Sequence, residues 1–182
     1  MQKKIVAAAI TAMGMFAAPA MATGILLEAE ARTATGGGSF SVASDRQATS
    51  GGKALIGWDA TGQWLEWAFE APEAGEYQVT LRYASGRGWD VWRELKLDGA
   101  VPGEGFAKHT LKTTGGWGRA AAEWQNYTFA GADGKPLTIK LNAGKHVLRL
   151  TSLGGAGDNG SANLDAVMLT KGGTKPESVL KP

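Results

Sequence analysis

From Gly24 onward, apolar and polar residues alternate with a period of two, interrupted at short intervals by turn residues. Gln63 to Phe69 places Leu65, Trp67 and Phe69 on one face. Glu76 to Ala84 places Tyr77, Val79, Leu81 and Tyr83 on one face, with Gln78, Thr80 and Arg82 opposite. Such alternation marks a strand with one side against a core. Ile25 to Ala31, Glu94 to Leu97, Ala122 to Phe129, Leu137 to Leu141, Val147 to Thr151 and Leu164 to Leu169 behave alike. The separators Pro72-Glu73-Ala74-Gly75, Asp98-Gly99, Asp133-Gly134 and Asn142-Ala143-Gly144 supply a preset φ or tolerance of positive φ. No stretch carries a convincing helical period. Many short strands at near-regular spacing predict an all-β fold, a two-sheet antiparallel β-sandwich of the jelly-roll kind.

The two ends of the chain break this pattern. Lys3 and Lys4, the apolar run from Ile5 to Phe16, and Ala20-Met21-Ala22 predict a secretory signal over residues 1–22, too short for a membrane span. That implies a secreted or periplasmic protein whose module covers residues 23–170. Residues 171–182 are rich in Lys, Gly and Pro without periodicity and are expected to be a disordered tail. Lys3 and Lys4 also account for the whole excess of 19 Lys+Arg over 17 Asp+Glu. The remainder is therefore charge-balanced, and it holds no basic run that could track a phosphate backbone. Neither nucleic acid nor membrane is an expected partner. The absence of cysteine among the 182 residues excludes a disulfide scaffold, a thiolate metal site and a cysteine nucleophile.

Candidate chemistry lies in acids and tryptophans. Glu28 and Glu30, two apart on an expected strand, would leave one face with Cβ atoms about 6–7 Å apart. That suits two oxygen ligands of a hard cation, although for an isolated pair of this spacing two solvated acids on an exposed face are the commoner outcome. Trp67 alternates with Leu65 and Phe69 and belongs in the core, and Trp124, ahead of Tyr127 and Phe129, is read as structural. Trp58, Trp89 and Trp117 are each flanked by glycine. A ring so placed either plugs an end of the sandwich or offers a flat apolar face to a pyranose. Arg87 and Arg93 flank Trp89 and are expected to be solvated loop charges, with a fork for a uronate carboxylate as the alternative. His109 and His146 are expected on exposed strand positions. Gly155-Ala156-Gly157-Asp158-Asn159-Gly160 matches G-x-G-x-x-G, but a strand rather than a helix follows it, which argues against a nucleotide site. No H-E-x-x-H or G-x-S-x-G is present. Asp59, Asp90 and Asp158 are loop acids that would have to pair across a cleft to make a glycosidase or polysaccharide lyase.

Several segments in order carry a resemblance: Glu28-Ala29-Glu30, Ser50-Gly51-Gly52-Lys53 through Trp58, Gly62-Gln63-Trp64-Leu65-Glu66-Trp67, Gly115-Gly116-Trp117, Ala143 through Leu150, and Asn163-Leu164-Asp165. This order resembles the β-sandwich carbohydrate-binding modules of families six and thirty-five, over about Gly24 to Leu169. The resemblance implies a structural calcium held by Glu28, Glu30, Asp165 and a carbonyl within Ser50 to Lys53. It also implies a sugar clamped between Trp58 and Trp117 in a loop-end cleft, with Asn163 hydrogen-bonding it. Trp89 lies in a loop that departs from the family pattern and would extend or block that cleft. The implied function is non-catalytic binding of a polysaccharide or oligosaccharide, alone or beside a separate carbohydrate-active enzyme. The alternatives are a secreted enzyme using the loop carboxylates, or a protein-binding surface module.

Overall fold

The computed structural model describes residues 24–157 and 159–182, so the expected signal segment lies outside the described residues. Among the described residues twelve strands build two antiparallel sheets, the all-β sandwich expected from the alternation. In the first sheet β12 (Ala162–Thr170) is the central strand. It pairs on one side with β6 (Gly75–Ala84), and on the other with β1 (Gly24–Glu28) and then β4 (Ala54–Trp58). β3 (Ser41–Ala43) continues beyond β4, while β9 (Gln125–Thr128) and β10 (Thr138–Leu141) share the outer edge of β6. The second sheet runs β2 (Ala34–Gly36), β5 (Trp64–Ala71), β11 (Gly144–Gly155), β7 (Val91–Leu97), β8 (His109–Leu111). None of the described residues forms a helix long and apolar enough to cross a membrane.

The period-two residues meet between the sheets. Tyr77, Val79, Leu81 and Tyr83 of β6 face Leu65 and Trp67 of β5 and Leu148 and Leu150 of β11 in one buried cluster. The Trp67 indole N–H reaches the carbonyl of Glu28 at 2.8 Å, so its one polar atom is satisfied on burial. Asp98-Gly99 makes the hairpin after β7, with φ of 51° and 84°, the pair of positive angles that a two-residue turn of the I′ kind demands.

Four differences from the sequence reading bear on the site. The first strand ends at Glu28, and Ala29–Ala31 turns into a 3-10 helix, so Glu28 and Glu30 do not share a strand face. Residues Ala121–Glu123 likewise form a 3-10 turn before β9. His109 is buried rather than exposed; its ring sits edge-on to Phe129 at 4.2 Å, and Nδ1 meets the Tyr127 hydroxyl at 3.0 Å. The tail expected to be disordered is laid back over the first sheet. Pro176–Val179 forms a 3-10 turn, Val179 presses on Gly24 where a Cβ would come within 2.6 Å of it, and the Lys181 amide donates to Ser50 Oγ at 3.0 Å.

Candidate functional site

At one end of the sandwich the C-termini of β4, β6, β8 and β11 and the N-termini of β5, β7, β9 and β12 bring four loops together. Beneath them Gln63, almost fully buried, stitches the β4–β5 turn. Its Oε1 accepts from the amides of Asp59 and Ala60 at 2.6 and 2.7 Å, and its Nε2 donates to the carbonyls of Ser39 and Gly57 at 3.2 Å. Only a side-chain amide, with an acceptor and two donors, can satisfy both strands of that turn.

Two sequence expectations fail here. Trp58 is completely buried; its indole N–H donates to the Gln63 carbonyl at 3.2 Å, and one face is covered by the Arg93 guanidinium at 3.8 Å. It has no free face for a sugar, so it is removed from the candidate clamp. Arg93 is equally buried rather than solvated, and burial pushes its guanidinium down to about 9. Its two terminal nitrogens donate to the carbonyls of Trp92 and Gly160 and to Ser152 Oγ, which ties the Gly160 loop to β7 and β11.

Above this floor lies a cleft of about 270 Å³, bordered by Trp117, Asn163, Ser161, Asp59 and three arginines, Arg46, Arg87 and Arg119. Trp117 is half-buried, and its indole nitrogen approaches Gly86 so closely that a Cβ there would sit 2.6 Å away. Asn163 is buried and donates through Nδ2 to the Trp117 carbonyl at 2.8 Å, which joins the loop to β12. Trp89 does not border the cleft. Its ring lies flat over Gly157, where any side chain would collide at 2.4 Å, and it supports Arg87 from behind at 5.4 Å. Of the loop acids, Asp59 borders the cleft, Asp90 is engaged by Lys112 at 2.6 Å, and Asp158 lies outside the described residues. A larger hollow of about 500 Å³ opens at the opposite end of β5 and β11, beside Phe69, His146 and Asp98.

The three acids of the implied calcium set gather around the turn Ser50–Gly52. Ser50 Oγ donates to Glu28 Oε1 at 2.8 Å, and the Ser50 amide donates to both Asp165 oxygens at 3.0 and 3.2 Å. A Cβ on Gly51 would lie 3.5 Å from Glu28 Oε1 and 3.8 Å from Glu30 Oε1. Glu28 Oε2 and Glu30 Oε2 are buried without a hydrogen-bond partner. Asp165 is fully buried with Arg82 Nε 2.8 Å away. Burial pushes its carboxyl up to about 7, against the pull of the Ser50 amide and Arg82 and with a further push from Glu28. Burial also raises Glu30, reinforced by Glu28. The Lys181 ammonium stands 3.4 Å from Glu28 Oε1. Among the described residues, no three acidic or histidine side chains converge closely enough to form a complete metal cluster by themselves. Orphaned, buried carboxylate oxygens beside a glycine turn fit a hard cation whose shell is completed by backbone oxygens.

No curated protein matches the chain. Among solved structures, the chain is similar to a family 35 carbohydrate binding module from Clostridium thermocellum, with 20% identity, 81% of this chain and 98% of that one covered, and a TM-score of 0.63. It is also similar to the C-terminal family 6 module of a marine laminarinase from Zobellia galactanivorans, with 21% identity, 81% and 99% covered, and a TM-score of 0.56. A family 6 module of a Cellvibrio mixtus lichenase, solved with cellotriose, gives 23% identity, 81% and 96% covered, and a TM-score of 0.52. At those identities the likeness establishes the fold. The family model for the carbohydrate binding module (family 6) matches residues 28–171, most of the chain and nearly all of both sheets, and the protein therefore belongs to that family of carbohydrate-binding modules.

Proposed function

We propose that the chain binds a polysaccharide or oligosaccharide without cleaving it, in the loop-end cleft, as a secreted module that serves a carbohydrate-active enzyme. The observation that carries this reading is Trp117, a partly open indole standing on a preformed cleft beside Asn163, Ser161 and Asp59. An aromatic face covers the C–H side of a pyranose while fixed polar groups meet its hydroxyls, and burying about 100 Å² in this way is worth roughly 2–3 kcal/mol. The clamp is one-sided, because Trp58 belongs to the floor. Asp90, which Lys112 neutralises, does not face Asp59 across the cleft as a second carboxylate, which weighs against glycoside hydrolysis.

A structural calcium belongs to the same reading. Glu28, Glu30 and Asp165, with a carbonyl of Ser50 to Lys53, would hold it and tie β1 to β12. The ion would supply charge compensation for acids that burial otherwise penalises.

A glycan array followed by titration calorimetry tests the site. Trp117→Ala should lower affinity for the best ligand about 10- to 100-fold, or roughly 1–3 kcal/mol, while Phe69→Ala leaves it unchanged. The reverse result would move the site to the opposite end of the sandwich. Product release from a bound polysaccharide would replace the binding reading with an enzymatic one.

A further inference from the structure

We infer that Lys181 is a built-in counter-ion for the acidic junction of β1, the Ser50 turn and β12, and that it gives way when a divalent cation occupies the junction, a role that rests on the calcium reading above. The tail that carries Lys181 then becomes a latch whose hold depends on the metal.

The acids need compensation with or without a metal. Glu28 and Asp165 are buried, and Oε2 of Glu28 and of Glu30 has no hydrogen-bond partner. Carboxylates taken out of water are costly unless an opposite charge stands close by. Arg82 Nε lies 2.8 Å from Asp165 Oδ2, and its Nη2 donates to the Ala48 carbonyl at 2.9 Å. Lys53 and Arg32 act on Glu30 through their fields. These three cations belong to the body of the sandwich: Arg82 sits within β6, Arg32 closes the turn after β1, and Lys53 closes the Ser50 turn. None can leave without disturbing the fold.

Lys181 differs, because it arrives from the tail. Its ammonium lies 3.4 Å from Glu28 Oε1. Its amide donates to Ser50 Oγ at 3.0 Å, and that hydroxyl donates to the same Glu28 oxygen at 2.8 Å. One carboxylate oxygen is thus addressed by Lys181 both directly and through Ser50. Yet the Lys181 side chain is 62% exposed, against 6% for Glu28. A half-solvated ammonium on a flexible stem compensates the buried acid but holds it weakly. A hard divalent ion claims the same oxygen with twice the charge and repels an ammonium at that range. The two cations therefore exclude each other at Glu28. Linkage makes the effect mutual: the docked ammonium weakens metal binding, and metal binding loosens the tail from Leu180 onward.

The test is calorimetric titration of calcium chloride into the chelator-stripped full chain, in the parent, Lys181→Gln, Lys181→Arg and Lys175→Gln. Lys175 is exposed in the same tail, so its substitution removes the same unit charge away from the junction. Lys181→Gln should bind calcium about two- to fivefold more tightly than the parent, the weight of one displaced, partly exposed ion pair. Lys181→Arg and Lys175→Gln should bind as the parent does. In the parent, the backbone order parameters of Leu180 and Lys181 should fall below about 0.6 on calcium addition while those of β12 stay high. Equal affinity in the parent and Lys181→Gln, or an equal gain in Lys175→Gln, overturns the inference and leaves the calcium reading standing. Order parameters of Leu180 and Lys181 that stay high in saturating calcium do the same. Absence of calcium binding in all four proteins removes the calcium reading itself, and this inference with it.

Discussion

Trp58 and Trp117 share a glycine-flanked setting in the chain and end in opposite environments. Flanking glycines do deprive a ring of neighbours along the chain, and that much is readable from the sequence. What covers Trp58 comes from 35 positions further on, when β7 delivers Arg93 onto its face, and no local pattern announces such a contact. Trp58→Ala should therefore cost about 3–5 kcal/mol, the usual range for a truncated core aromatic, and leave the Arg93 charge without its stacking partner. Trp117→Ala should stay within about 0.5–1 kcal/mol of the parent, as substitutions at partly exposed sites do. Denaturant melts of the two variants decide this, and the opposite order would reassign core and cleft. Gln63, which organises the turn under the site, is not legible in the sequence, because a glutamine between glycine and tryptophan looks like an exposed strand start. Its spacing from Asp59 and Ala60 was the available signal.

Strands long enough to show several alternations, β5, β6, β11 and β12, were legible from hydrophobic pattern alone. The short pieces β2, β3 and β8 are not, because three residues cannot display a period and all three pieces lie at sheet edges. The five residues of β4 were missed as well: pairing with β12 and β3, rather than alternation, defines them. The first strand is shorter than its alternation implies, because Ala29–Ala31 keeps the alternating pattern while the backbone curls to bring Glu30 toward Gly51.

A second local device joins the β7–β8 turn to β11: His146 Nδ1 meets Asp98 Oδ2 at 2.7 Å and Nε2 meets the Asn142 carbonyl at 3.0 Å. Both ring nitrogens face acceptors, so the imidazolium is the form that satisfies both. Burial works against this charge, but the two hydrogen bonds and the Asp98 charge raise the histidine above its usual 6.5. Burial likewise opposes the Asp98 charge, but the bonds from His146 and Val147 hold that carboxyl below 3.8. A raised histidine stabilises fully below its unfolded value and loses that contribution as pH rises through the folded one. A lowered aspartate stabilises above its unfolded value and loses that contribution as pH falls through the folded one. Their joint window lies between the two unfolded values, 3.8 and 6.5. His146→Gln should destabilise most near pH 5 and much less by pH 8. A deficit that is flat with pH in denaturant melts would show that the ring acts through packing against Phe69 alone.

At the scale of the whole molecule, the acids at Glu28, Glu30 and Asp165 link the first strand, the Ser50 turn and the last strand. If calcium fills that junction, it stabilises the folded state by mass action. Thermal melts in millimolar calcium should then lie above melts in excess chelator, and the difference should vanish in Glu28→Gln. Identical melting curves, with no metal in elemental analysis of the purified protein, would remove the ion from the account. The central place of β12 carries a different consequence, one of timing. This strand is synthesised after the other strands of both sheets, yet it is the template on which β1, β4 and β6 all align. A growing chain that has not yet delivered residues 162–170 has the flanks of its first sheet and no middle. The sandwich therefore closes only after residues 162–170 have emerged, with β1 waiting for every intervening strand before it finds its neighbour.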